Sequence, residues 1–502
     1  MNDAVEAGPH EEKRSASPRH RAPVFRETIE ALVSAIIFAL LVKQFVGEAY
    51  KVPTGSMEPT IHGSEVDGDR ILVDKITGLL RDPRRFEVWV FRYPNDLRVN
   101  YIKRVIGIGP ESLFIIDGDI WTGPPNTAGE RPERLFAENR LTIARKPDAV
   151  REAMLHRYPQ IDPETLDRID EETLRSSWHF ETSPLPDHHP WTFDDEGVRG
   201  ASKRPTFAIF RETVRDQRDK FEDLSPNNVW GEYVVGDVQV EVETKPTSRN
   251  GFILFEIIDP QHGGRLRARV PIGDEPGSGV LLRDEEQLGD LGDFHLSPDT
   301  WTHLAFSNVD DEILLEIDGD IVGRAPYRHM PRATSNRFND QQKIAFGLEN
   351  AVARFRRPQV YRDIYYRRGN CSGMRRFAWD IPEGAYFFLG DNSPSSKDSR
   401  EWVRMEIETL GGEVYEGDAE AIPNPEDLSV RIDNPWREDQ LGDDASSRWR
   451  FLDRFGNIHD LGLGARPWKR LNRTCSPFVP RDLILGRALV VFLPWDRMAF
   501  IR

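Results

Sequence analysis

Over most of the chain, apolar positions alternate with polar ones. They do not recur every third or fourth residue, so the pattern predicts strands. The runs RILVDKI (70–76), FEVWVFRY (86–93), NYIKRVIGI (100–108) and SLFIIDGDIWTG (112–123) are rich in β-branched and aromatic residues, with turn signals between them. Asp117-Gly118 reads as a hairpin turn. The same texture returns over about 205–367, in GDVQVEVET (236–244), GFILFEIID (251–259), WTHLAFSNV (301–309) and EILLEIDGDIVGRAP (312–326). It closes the chain in PFVPRDLILGRALVVFLPW (477–495).

One segment breaks the alternation. Ala31 to Val42 reads ALVSAIIFALLV with no charge, and Thr28 to Val46 spans about 19 residues, close to what a helix needs to cross a bilayer. Lys13, Arg14, Arg19, Arg21 and Arg26 precede it, which predicts a cytoplasmic N-terminus and an exocytoplasmic remainder. A buried core helix and a cleaved signal peptide are the competing readings. Phe45, Glu48 and Tyr50 interrupt any small-x-small cleavage site, so we expect an uncleaved, single-pass anchor in the plasma membrane.

These textures divide the chain. Residues 1–26 form a polar, disordered cytoplasmic tail and 27–47 the transmembrane anchor. Residues 48–123 are a first β segment. Residues 124–204 are a Pro-rich, charged, linker-like insert with a helical fragment at 148–158. Evenly spaced strands over 205–367 predict a β-sandwich. Residues 376–402 are a separate island, 403–475 a second polar insert, and 476–502 the last strands. The first and last β segments are each too short for a core of their own. The expected fold is therefore mainly β: an N-terminal transmembrane helix, then a β core split by insertions.

Composition narrows the functions. The 502 residues are 38% hydrophobic and 30% charged, which excludes a multi-span membrane protein. A net charge of −17 argues against nucleic acid as a partner. Cys371 and Cys475 are too few for a four-cysteine metal site. They form either one disulfide outside the cytosol or two thiols. The acidic tract 414–444 reads as solvated surface.

The candidate chemistry begins at VPTGSMEPTI (52–61), where Ser56 follows a glycine just past the apolar segment. A serine needs a base to become a nucleophile. The histidines form no convincing arrangement with it: only His62 is near in sequence. A lysine serves if desolvation makes it neutral. In YIKRVIGIG (101–109), alternation puts Tyr101, Lys103 and Val105 on one face of a strand. A lone strand lysine ordinarily points to solvent; Lys103 gains meaning only beside Ser56.

TGSMEPTI (54–61), GDRILVDK (68–75), YIKRVIGIGPE (101–111) and GDNSPSSKDSREW (390–402) resemble, in order and type, the motifs of bacterial type I signal peptidase. VPRDLILGRALVV (479–491) resembles that family's last core strands. The resemblance implies a Ser/Lys endopeptidase that needs no cofactor or metal. Ser56 stands at the nucleophile's position and Lys103 at the general base's. Ser396 falls where a serine orients the lysine, and Asp398 and Arg400 where a charge pair braces the site. Asp391 pairs with Arg104 on the same reading. The oxyanion donors would be the Ser56 N–H and the Thr54 hydroxyl, on either side of Gly55. The chain departs from the family at Ser393, where an arginine usually stands, at Pro394, where an acidic residue is frequent, and at Val403, in place of glycine.

The β tract 205–367 is an addition to such a core. Trp301 to Phe306 and the following Leu314 to Gly319 resemble laminin-G or concanavalin-like jelly rolls. Asp310, Asp311 and Asp318 could be offered as calcium ligands there, but turn chemistry accounts for aspartates at such places. A spacer or protein-docking role is the plainer reading, and the insert's partner is unknown. The implied partners of the enzyme are secretory preproteins with small residues before the cut, and the lipid bilayer. Two other functions compete. A retired peptidase relic anchoring a carbohydrate- or protein-binding sandwich is opposed by Ser56, Lys103 and Ser396 occurring together. A self-cleaving repressor is opposed by the anchor and by the lack of a DNA-binding segment.

Overall fold

In the computed structural model, both ends of the sequence meet in one antiparallel sheet. The structure describes residues 22–41, 46–158, 171–182, 189–216, 231–259, 264–329, 341–371, 373–424, 430–437, 448–463 and 466–502. The core sheet runs in the order Gly47–Lys51, Arg70–Asp74, Ile484–Leu493, Val88–Tyr93, Asp96–Ile108, Ala385–Leu389, Val479–Pro480. Strands from residues 47–108 are thus interleaved with strands from 385–493. Neither segment closes this sheet alone, which is why each looked too short for a core. A smaller sheet, Ala378–Ile381, Glu111–Ile116, Asp119–Gly123 and Thr142–Ile143, packs beside it. Its central hairpin turns at Asp117 and Gly118, with φ of 54° and 96°. Both lie in the left-handed region that Asp tolerates and Gly adopts freely.

Between these core strands the chain builds a two-sheet sandwich. One sheet orders Trp191–Asp194, Gly197–Ser202, Ala351–Arg362, Val238–Pro246, Thr302–Val309, Glu312–Ile317 and Asp320–Pro326. The other orders Glu286–Phe294, Gly277–Arg283, Gly264–Pro271, Phe252–Asp259, Lys343–Glu349, Thr206–Phe210 and Trp178–Phe180. Val238, Val240 and Val242 face inward along one strand, Phe255 and Ile257 along another, and the Phe255 and Phe306 rings stack 5.7 Å apart. The sandwich takes in more chain than its sequence texture indicated. Strands at 191–202, in the stretch read as linker-like, join it because Trp191 and Val198 bury in its core.

The second insert packs on the strand Asp96–Ile108: the Leu97 N–H donates to the Arg454 carbonyl and Arg98 Nη2 to the Ile422 carbonyl. Part of it is not solvated surface. Asp418 is buried and accepts from the Tyr93 hydroxyl at 3.0 Å, while Glu420 holds Lys397 at 2.6 Å. A disulfide joins Cys371 to Cys475 and closes the stretch that contains the island 376–402.

At the other end, a helix runs Ala22–Leu41. Its first half contains Arg26, Glu27 and Glu30, and Leu32, Val33, Ile36, Ile37 and Phe38 are exposed. Among the described residues no helix is long and apolar enough to cross a membrane. Residues 1–21 of the expected tail and 42–45 of the expected anchor lie outside the described residues.

Candidate active site

Ser56 sits in a single 3₁₀ turn, Gly55–Met57, directly after the first core strand and its extension. Met57 and Ile61 are fully buried and pin the turn to the sheet. The Ile61 N–H donates to the Met57 carbonyl at 3.0 Å and continues the turn. Burial of the two apolar residues leaves Ser56 partly accessible above them.

Lys103 lies on the strand Asp96–Ile108, opposite Trp89 of the neighbouring strand. It is 4% exposed, and its Nζ hydrogen-bonds Ser56 Oγ. The amine also lies 5.5 Å from the Tyr101 ring centroid, on the same strand face. Burial pushes the Lys103 pKa down to about 8. Asp398 and Asp391 oppose that fall; Arg400 and Arg431 assist it.

The island 390–402 wraps the serine turn. The Asn392 N–H donates to the Ser56 carbonyl at 3.2 Å and Asn392 Nδ2 to the Gly55 carbonyl at 2.9 Å. Gly390 is required for this approach: a Cβ there would stand 2.2 Å from Ser396 Oγ and 2.3 Å from the Ser56 carbonyl oxygen. Ser396 is therefore brought beside Ser56. Its Oγ is buried and has no hydrogen-bond partner among the described residues. Thr54 is exposed at the residue before the turn and makes no capping hydrogen bond.

Two buried ion pairs brace the site from below. Arg104 donates to Asp391 at 2.9 and 2.6 Å, with both side chains fully buried. Thr60 and Tyr366 hydroxyls donate to the same carboxylate at 2.6 and 3.4 Å. Arg400 donates to Asp398 at 2.8 and 2.6 Å. Asp398 also accepts the Gly390 N–H at 3.1 Å. Because each guanidinium forks onto a carboxylate, the pairs fix orientation as well as charge.

Some contributors had roles that the sequence did not show. Ser393, a departure from the family pattern, accepts from the Arg367 N–H at 2.8 Å and from Arg400 Nη1 at 2.7 Å. Arg431 reaches in from the second insert and lies 3.4 Å from the Tyr101 hydroxyl. Asp119, Asp237 and Asp310 bring carboxylate oxygens within 4.8 Å of one another at the base of the sandwich. Lys146 Nζ already lies 2.6 Å from Asp310 and 2.7 Å from Asp363 there. Burial works against its charge, but the surrounding aspartates hold its pKa well above the usual lysine value.

A serine hydroxyl against a desolvated lysine is the arrangement on which Ser/Lys hydrolases depend. The model of the family "signal peptidase, peptidase S26" matches residues 25–142 and 319–416, the segments that bear both side chains and the island. Signal peptidase I of Pseudomonas fluorescens is 36% identical over 101 residues, 18% of this chain and 34% of that protein. Signal peptidase I of Aquifex aeolicus is 35% identical over 88 residues, 18% and 33% of the two chains. That of Mycobacterium tuberculosis is 36% identical over 101 residues, 20% and 34%. These matches make the chain similar, over the segments that carry the site, to the type I signal peptidases, and leave a large additional β region outside them. It spans about a third to a half of the length of the curated relatives it matches. Among solved structures, a carbohydrate-binding module from Bacillus subtilis is 14% identical, covering 37% of this chain and 94% of that one, at a TM-score of 0.24. That likeness is too low to carry functional meaning.

Proposed function

We propose that this protein is a membrane-bound serine endopeptidase that removes N-terminal signal peptides from exported preproteins. The observation that carries this reading is the hydrogen bond between Ser56 and a buried Lys103 whose pKa is lowered to about 8. At that value about a tenth of the lysine is neutral at pH 7 and able to accept a proton. Neutral Lys103 takes the Ser56 hydroxyl proton as Oγ attacks the scissile carbonyl carbon. The Ser56 N–H and the Thr54 hydroxyl donate to the oxyanion of the tetrahedral intermediate, a role commonly worth about 3 kcal/mol per donor. Lys103 then protonates the leaving amine, and a water hydrolyses the acyl-enzyme by the reverse path. Ser396, beside Ser56 and with no hydrogen-bond partner among the described residues, is available to orient the amine during the reaction, and Asp398 with Arg400 holds the floor of the site.

The apolar segment 27–47, of which the helix Ala22–Leu41 carries the first part, anchors the enzyme, with the N-terminus cytoplasmic and the catalytic region on the exocytoplasmic face. The exposed apolar side chains of that helix and the charge-free run after Glu30 support this topology. The Cys371–Cys475 disulfide suits an oxidising compartment. Substrate preference is for small residues just before the cut. We expect a preprotein ending its signal peptide in Ala-x-Ala to be cleaved there, and the same substrate with leucine at the last position to be refused. Equal cleavage of both would remove the signal-peptide reading while leaving a peptidase.

A further inference from the structure

We propose that Arg367, where the inserted sandwich hands the chain back to the core, is a positioning residue for Lys103 that acts through Ser393 and Arg400 on Asp398. The proposal rests on the reading of Lys103 as the base.

Arg367 is tied on both sides. Its Nε donates at 2.6 Å to Asp216, a fully buried carboxylate of the insert. Asp216 is itself fixed by the Tyr233 N–H at 3.1 Å, and its own N–H donates to the Tyr233 carbonyl at 3.0 Å. The Arg367 guanidinium lies 5.3 Å from the Tyr233 ring centroid. On the other side, the Arg367 main chain meets the active-site island. Its N–H donates to Ser393 Oγ, and its carbonyl accepts Arg400 Nη1 at 2.9 Å. Arg400 Nη1 also donates to Ser393 Oγ, and Nη2 donates to the Ser393 carbonyl at 3.1 Å. Among the described residues, the other hydrogen bonds of the Arg400 side chain go to Asp398.

The chemistry of position 393 fits this bridge. A hydroxyl accepts from the Arg367 N–H and from Arg400 together. An arginine, which only donates, could accept neither. The serine thus suits a chain whose insert ends at Arg367.

The consequence reaches Lys103 by charge. The groups that act on its amine are Asp398, Asp391 and Arg400 of the island and Arg431 of the second insert. Ser56 faces it from the turn and Tyr101 from its own strand, while its neighbour Arg104 is occupied by Asp391. Asp398 is the strongest opponent of the neutral amine, and Arg400 offsets it. Both are buried, so little solvent screens them. An Arg400 freed from Arg367 and Ser393 leaves Asp398 less compensated, and Lys103 then holds its proton to higher pH.

The test is the titration of Lys103 in the full chain in detergent micelles. Lysine labelled with ¹³C at Cε reports it by NMR, and loss of the signal in Lys103→Ala assigns it. In both Asp216→Asn and Ser393→Ala we expect the midpoint to rise by about half a pH unit or more, a roughly threefold loss of neutral amine at pH 7. Arg367→Lys keeps the main-chain bonds and a cation for Asp216, and is expected to return the wild-type midpoint. A folded Asp216→Asn or Ser393→Ala protein with an unmoved midpoint overturns the proposal, even if it melts at lower temperature. Should Asp216→Asn not fold, Ser393→Ala decides. The readout needs no turnover. A protein that still cuts as Ser56→Ala would therefore overturn the proposed nucleophile and leave this coupling standing.

Discussion

Replacing Lys103 by methionine removes the amine and keeps an unbranched chain of similar length. The native lysine costs the fold stability, and the size of that cost follows from its burial. Its pKa is about 8 in the folded chain against an ordinary 10.5. The difference, about 2.5 units, disfavours the protonated folded form by about 3 kcal/mol. The folded value is the lower one, so between about pH 8 and 10.5 the unfolded chain binds more protons. Wild-type stability therefore rises with pH across that window, and below it the full cost is present. Methionine carries no such term but forfeits the contact with Ser56, worth about 1 kcal/mol. We expect Lys103→Met to be more stable than wild type by about 2 kcal/mol near pH 6.5, with the advantage fading by about pH 10.5. Denaturant unfolding of both proteins, followed by circular dichroism at several pH values, measures it. A methionine variant less stable than wild type near pH 6.5, or a difference that does not change with pH, would refute the reasoning.

Three further outcomes follow from the geometry. The Cys371–Cys475 bond spans 104 residues of sequence, and closing a loop of that size stabilises by up to about 4.7 kcal/mol in the chain-entropy picture; thermal unfolding with and without reductant should show a large loss, and an unchanged midpoint would count against the closure. Arg104→Ala leaves Asp391 buried without its cation, which should cost about 3–5 kcal/mol and be read as a lowered unfolding midpoint. Gly390→Ala drives a methyl into Ser396 Oγ and the Ser56 carbonyl, so cleavage should fall by roughly a hundredfold or more, the scale of a 1 Å misplacement, while Gly129→Ala, at an exposed turn glycine with open space around it and no positive φ, keeps full activity.

The sequence made some of this legible and hid the rest for physical reasons. Strands of the core and sandwich were visible because alternation at period two records which face is buried, as in Val238–Pro246. The turn at Asp117 and Gly118 was visible because its positive φ angles demand those residue types. Ser56 and Lys103 could be paired only through their motif company, since 47 residues separate them and neither stands out alone. Buried Asp418 and the approach of Arg431 to Tyr101 were hidden in a tract that reads as acidic surface. Their positions come from contacts 325 and 330 residues apart, which no local pattern encodes. Ser393 was visible only as a departure from the family. Its bridging of Arg367 and Arg400 depends on where the insert returns the chain.

The most direct test of the account is cleavage of a model preprotein with an Ala-x-Ala site by the lipid-supplied wild type, run beside folded Ser56→Ala and Lys103→Ala. The account predicts a single cut after the last alanine in the wild type, with its rate rising towards a midpoint near pH 8, and loss of cleavage in both variants. Cleavage that survives in Ser56→Ala would contradict the nucleophile, and cleavage that survives in Lys103→Ala with the same pH profile would contradict the base.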